Sequence, residues 1–136
     1  KQVILADCDL RHPAQHTLFG LDNSTGVTTA VSNADAHLPL QTTELPNLRV
    51  LTSGPSVEVP SDLLASPAMA GLVARLRDEA DVVLFDAPPV VLATDAAELA
   101  IQVDGVLSTV SAGHTKRADA QQAKNLLTKV GARLVG

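Results

Sequence analysis

Two short apolar runs, Val3-Ile4-Leu5-Ala6 and Val82-Val83-Leu84-Phe85, each break off at an aspartate, Asp7 and Asp86. Such runs, without polar alternation, are too short for helices and read as strands buried on both faces. Leu48-Arg49-Val50-Leu51, closed by Ser53-Gly54-Pro55, is a third strand candidate; residues 106–110 are a fourth, and Leu134-Val135 opens a fifth. Helical patterns lie between them. Ser66-Pro67 places a hydroxyl cap before a proline at the first helical position. Met69, Leu72, Val73, Leu76 and Ala80 then share one helical face. Asp95 with Glu98 predicts a capping box for a helix to about Ile101. Residues 115–130 read as a helix with Gly131 as its C′ residue. Shorter helical turns are expected around residues 14–18 and 27–32. Strands alternating with helices imply an α/β fold, a parallel sheet with helices on both faces.

The 136 residues include no Trp or Tyr and two Phe, so the core must be aliphatic. Ten basic against fifteen acidic residues give a formal charge of −5. No basic run exists to displace counterions, which argues against a nucleic-acid surface and suits a soluble enzyme. A single cysteine, Cys8, excludes an internal disulfide and is compatible with a reducing compartment. No apolar run approaches the roughly 20 residues of a membrane span. The start, Lys1-Gln2-Val3, shows neither an initiator Met nor a signal-peptide pattern. The far end stops where a strand begins, so both ends read as cut within one domain covering 1–136. There is no internal repeat, low-complexity segment or interdomain linker.

Parallel α/β sheets bind ligands at the carboxyl ends of their strands. Asp7, Asp9 and Asp86 occupy such positions. Asp7 and Asp9 are two apart, so on extended backbone they project the same way, with Cys8 opposite. Carboxylates gathered in this manner repel unless a cation lies between them, and Mg²⁺ with its retained waters fits that role. A strand-end Asp can also simply cap the next turn; clusters at two strand ends weaken that reading.

The motifs are also recognisable. Val3-Ile4-Leu5-Ala6-Asp7-Cys8-Asp9-Leu10-Arg11-His12-Pro13 resembles the Walker A′ motif of bacterial tyrosine kinases (BY-kinases), an apolar strand followed by D-x-D-x-R-x-P. Val82-Val83-Leu84-Phe85-Asp86-Ala87-Pro88-Pro89 resembles their Walker B motif, ending D-x-P-P. Leu18-Phe19-Gly20-Leu21, Leu48 to Gly54, Pro60 to Ser66, Val103-Asp104-Gly105-Val106 and Ala112-Gly113-His114-Thr115 follow the family in order and spacing. The wider deviant-Walker ATPases, including cell-division and partition proteins, share D-x-P-P; the D-x-D-x-R-x-P form favours the exopolysaccharide-associated kinases.

The resemblance implies a P-loop NTPase-like fold, here without its Walker A strand and loop, and a partial catalytic domain running from Walker A′ to beyond Walker B. It implies ATP and Mg²⁺ as cofactors. Asp86 would orient waters on the metal, Asp7 would approach the same shell, and Asp9 would act as base toward an acceptor tyrosine. Arg11 would contact phosphate or an interface, although a surface ion pair is its simpler reading. It implies a self-associating kinase in capsule or exopolysaccharide assembly at the cytoplasmic face of the inner membrane. A transmembrane chain-length-determinant partner, or a fused upstream segment, would hold it there. The alternative is a non-kinase ATPase switch that gates dimerisation.

A P-loop requires G-x-x-x-x-G-K-[ST], whose backbone N–H groups cradle phosphates. These 136 residues contain none, since Gly113-His114-Thr115-Lys116 has the wrong frame and Ser53-Gly54-Pro55-Ser56 no lysine. The family's self-phosphorylated tyrosine cluster is also missing. His12 and His16 have no evident third ligand. Cys8, between two carboxylates, reads as an inert small side chain. Thr94 and Asp95 suit either helix capping or the rim of the site.

Overall fold

The computed structural model describes residues 1–92 and 94–136. In chain order its elements are β1 (Val3–Asp7), α1 (Gln15–Phe19), α2 (Val27–Ser32), β2 (Gln41–Thr42), β3 (Leu48–Leu51), α3 (Pro60–Leu64), α4 (Pro67–Glu79), β4 (Val82–Asp86), α5 (Asp95–Ala100) and α6 (Arg117–Lys129). The sheet order is β2-β3-β1-β4. The first apolar run is therefore an interior strand, parallel to β3 on one side and to β4 on the other. The fold is the expected α/β class. It adds a two-residue antiparallel edge strand, β2, too short to leave a period-2 signal in the sequence.

Alternation along β1 divides the sheet into two faces. Ile4 and Ala6, with Leu51, Val83 and Phe85, pack into one aliphatic cluster with Val27, Ala30 and Val31 of α2 and Met69, Leu72 and Leu76 of α4. The expected stripe on α4 is the buried one. Its start is also as expected: the Ser66 hydroxyl accepts the Met69 N–H at 3.1 Å and Pro67 opens the helix. α6 ends as foreseen, Gly131 taking φ +79° and donating its N–H to the Thr128 carbonyl.

The other face is less complete. Val82 and Leu84 are apolar yet 37 % and 52 % exposed, although the run reads as fully buried. β4 has no partner on its outer edge. Residues 106–110, expected as a strand, make a single parallel bridge, Val106 to Leu134, and leave Leu107 and Val110 exposed. Between this segment and β4 lies an open slot of about 790 Å³, lined by Leu5, Leu84 and Phe85 on one side and by Val106, Val110 and Leu127 on the other. A strand forms only where a neighbour takes its N–H and C=O groups, and on this side of 106–110 the neighbour is the slot.

Close backbone approach fixes the polar end of β3. The buried Thr52 hydroxyl donates to the Thr25 and Asp22 carbonyls, and the Asn23 carboxamide holds the Gly54 N–H. At Gly26 a Cβ would stand 2.0 Å from the Thr52 carbonyl oxygen and 2.4 Å from the Gly54 nitrogen, both main-chain atoms that cannot yield. At Gly71, inside α4, a Cβ would meet open space. Gly26→Ala should therefore lower the unfolding free energy by about 1–3 kcal/mol or more. Gly71→Ala should raise it by roughly 0.5–1 kcal/mol. Urea denaturation of the two variants beside wild type checks both signs.

Candidate functional site

Because β1 and β4 run parallel and in register, Asp7 faces Asp86 as the last paired residues of both strands, on the face opposite Ile4, Ala6 and Phe85. The Cys8 N–H donates to the Asp86 carbonyl at 2.8 Å and prolongs the pairing one step beyond the carboxylates. Of the predicted carboxylates, Asp7 and Asp86 thus meet in space.

Asp7 is fully buried. Its Oδ2 accepts the N–H groups of Ala14 and Gln15 at 3.1 and 3.0 Å, where α1 begins. Its Oδ1 is buried with no hydrogen-bond partner among the described residues. Burial raises the Asp7 pKa above its ordinary 3.8, the backbone N–H groups of Gln15, Ala14 and, least, Asp9 oppose that, and the charge of Asp86 adds to the rise. Asp86 is half-buried, and its Oδ2 accepts the Gln15 side-chain amide at 2.7 Å. Gln15 therefore spans the pair, its main chain on one carboxylate and its carboxamide on the other. Nothing in the sequence singled it out; the one available signal is its place at the start of a helix directly after the D-x-D-x-R-x-P loop.

Asp9 is half-exposed and accepts the His12 N–H at 3.0 Å, so it does the turn-capping work of an ordinary loop aspartate. Arg11 lies beside neither Asp7 nor Asp86: its Nε and Nη2 donate to the two oxygens of Asp95 at 2.8 and 3.1 Å. That pairing replaces the expected capping box, since the cap residue of α5 is Thr94 and no side chain caps the helix. Cys8 is buried, and burial first, then Asp7 and Asp86, pushes its thiol pKa far up, in keeping with an inert thiol. Of the histidines four apart, His12 is exposed and His16 half-buried, its Nδ1 without a hydrogen-bond partner among the described residues.

No group of three or more His, Cys, Asp or Glu side chains among the described residues could by itself hold a metal ion. The acceptor chemistry at the strand ends is instead two adjacent carboxylates, one with an unsatisfied buried oxygen. That suits a cation drawing its remaining ligands from water and phosphate, the habit of Mg²⁺ rather than of Zn²⁺.

No family model matches the chain. Among curated proteins it is 36 % identical over 137 residues to the tyrosine-protein kinase YwqD of Bacillus subtilis, covering 100 % of this chain and 58 % of that protein. The chain spans about three fifths of the length of the curated relatives it matches first. Among solved structures, the VpsO kinase domain superposes with a TM-score of 0.92 at 31 % identity, covering 99 % of this chain and 68 % of that one. A septum site-determining protein MinD from Pyrococcus horikoshii, complexed with Mg-ADP, superposes with a TM-score of 0.73 at 19 % identity, a likeness of fold alone.

The raised pKa of Asp7 has a stability consequence. A carboxyl that holds its proton more tightly when folded favours the fold below its ordinary 3.8, and that contribution is lost as the pH rises through the raised value. Without metal, Asp7→Asn should therefore be more stable than wild type at pH 7. The gap should close as the pH falls toward the ordinary carboxyl range. Thermal unfolding in a chelator across that pH range checks the sign; an Asn variant less stable at neutral pH would contradict it.

Proposed function

We propose that the protein carrying this chain is an ATP-dependent protein-tyrosine kinase, because the chain belongs to the bacterial tyrosine-kinase (BY-kinase) family. The observation that carries the assignment to these residues is the in-register pair Asp7–Asp86, with the unsatisfied Asp7 Oδ1, at the carboxyl ends of β1 and β4. Asp86 and Gln15 both line the slot beside β4. A further parallel strand entering it would end at the same edge as β1 and β4, delivering the loop that follows it to the carboxylates. Such a strand and a G-x-x-x-x-G-K-[ST] loop are what the family resemblance supplies upstream of Walker A′.

Mg²⁺–ATP, when bound, supplies the phosphoryl group and neutralises its developing charge. Asp7 and Asp86 would hold the water shell of the metal. Gln15 keeps Asp86 oriented toward its partner. Asp9 would take the proton of the attacking tyrosine hydroxyl, its second oxygen doing this while the first caps the turn at His12. Arg11, occupied by Asp95 through Nε and Nη2, has Nη1 left for a phosphate oxygen. Phosphoryl transfer is mostly positioning and charge neutralisation, so these side chains should govern rate far more than fold.

The acceptor tyrosines lie outside these 136 residues, which contain none. We place the parent protein in capsule or exopolysaccharide assembly, self-associating, at the cytoplasmic face of the inner membrane. A transmembrane chain-length-determinant partner or a fused segment would attach it there. That placement rests on the family resemblance; among the described residues no helix is long and apolar enough to cross a membrane.

In the full-length protein, Asp9→Asn and Asp86→Asn should each lower phosphotyrosine formation by about 10²-fold or more while leaving the protein folded. A phosphotyrosine blot with Mg²⁺–ATP reads this, and an unchanged signal for Asp9→Asn would remove it as the base. ATP hydrolysis without any phosphotyrosine would instead make the protein a nucleotide-gated switch. Residues 1–136 alone, with no P-loop to cradle the phosphates, should give no heat of ATP binding in titration calorimetry with Mg²⁺; micromolar affinity would refute the division of the site.

A further inference from the structure

We propose that Asp95 is a positioning residue: its two-point ion pair with Arg11 clamps the loop after β1 to the segment after β4, and so fixes the directions of Asp9 and Arg11 on that loop. The reaction served is the kinase reading above, on which this inference rests; the clamp itself rests on the geometry.

The partners are 84 residues apart in sequence. The Asp95 side chain is fully buried and that of Arg11 is 42 % exposed. The paired oxygens and nitrogens form the fork geometry that only a guanidinium provides, with lysine a poor substitute. Asp95 sits in the first turn of α5, where a negative charge is favoured. Yet it caps nothing there, and both of its oxygens are given to Arg11. Burying a carboxylate against one half-exposed partner is a poor way to gain stability, because desolvation offsets the attraction. Its yield is placement.

The placement is specific. Residues 8–15 are tied to the strand ends at Cys8, through the Asp86 carbonyl, and at Ala14 and Gln15, through Asp7. Between those ties the Asp9 carboxylate accepts only the local His12 N–H among the described residues. Arg11 is the polar tie in the middle, next to the buried Leu10, and it reaches beyond β4 to α5. Releasing it leaves the buried Leu10 side chain as the remaining anchor at the loop centre, which holds the backbone near the core but not the direction of the polar side chains on either side of it, while Asp7 and Asp86 stay in place. The consequence is a turnover defect separate from nucleotide affinity.

The test uses the full-length protein with Arg11→Met, Asp95→Asn and the double variant, read as kcat for phosphotyrosine formation, KM for ATP and unfolding midpoint. Asp95→Asn should lower kcat by about 10–100-fold with KM for ATP nearly unchanged, the scale expected when a reacting group shifts by about 1 Å. Arg11→Met, which also loses the Nη1 donor offered to phosphate, should lower kcat at least as far and raise KM for ATP. The double should be no slower than the slower single. Arg11→Met strands a buried charge and should lower the midpoint; the double removes that charge and should recover it. If the pair only held the fold together, turnover would return with stability in the double, and the proposal would fall. It would fall equally if Asp95→Asn turned over like wild type. Should Asp95→Asn not fold, Asp95→Glu, which keeps the charge and moves it by one methylene, replaces it under the same criteria. Ethylguanidinium should restore turnover to Arg11→Ala when Asp95 is present and not when it is Asn; rescue indifferent to Asp95 overturns the clamp. Asp86→Asn is the control: if it turns over normally, the kinase reading fails, whatever Asp95 does.

Discussion

Everything about this site depends on the register between β1 and β4. Parallel pairing of Val3 with Val82 carries through four further steps to Asp7 with Asp86, and a slip of one residue would turn one carboxylate to the opposite face. The register is held by which side chains fit beneath it. Ile4, Ala6, Val83 and Phe85 all face the cluster built by α2 and α4, so a slipped β4 would expose its core residues and bury its solvent-facing ones. Aliphatic packing on one face thus determines electrostatics at the end of the other.

The electrostatics in turn run against stability. Asp7 is buried beside a second carboxylate, with one oxygen unsatisfied among the described residues, and burial raises its pKa despite the opposing backbone N–H groups. Asp95 is buried with one charged partner. Neither arrangement is what a chain selected for stability alone would keep, since an amide or an apolar residue would remove the desolvation cost. Buried, imperfectly compensated charges at strand ends are how a rigid scaffold holds ligand-directed groups in place before the ligand arrives.

Much of this was legible in the sequence because local rules were not in competition. β1, β3 and β4, the Ser66-Pro67 start of α4, its buried stripe and the Gly131 end of α6 all follow from patterns of a few residues. The misses have a common cause. β2 is too short to carry a period; α3 (Pro60–Leu64) is one turn; and 106–110 has strand composition without a complete set of strand neighbours. In the candidate site, the pairing of Asp7 with Asp86 could be read from strand ends and motif, whereas Gln15 and the partner of Arg11 could not. Gln15 reaches Asp86 across 71 residues and Arg11 reaches Asp95 across 84, and no periodicity encodes a contact of that span. The capping-box expectation at Asp95 failed for the same reason: a distant guanidinium took the carboxylate that the local rule had assigned to the helix.

The slot beside β4 ties these observations together. Its walls are sheet edges and apolar side chains, which call for a strand, and its mouth carries Asp86 and Gln15, which call for a charged ligand. A parallel strand filling it would bury Leu84, Leu107 and Val110, now 52 %, 71 % and 62 % exposed. The same insertion would deliver its trailing loop to the carboxylate pair, because parallel strands end at one edge. Completing the core and completing the site are therefore one structural event. Asp7 and Asp86 are placed by packing on the far face of the sheet, and the phosphate-binding backbone would be placed by packing in the slot. On the proposed reading, the chemistry would lie at the seam between the two.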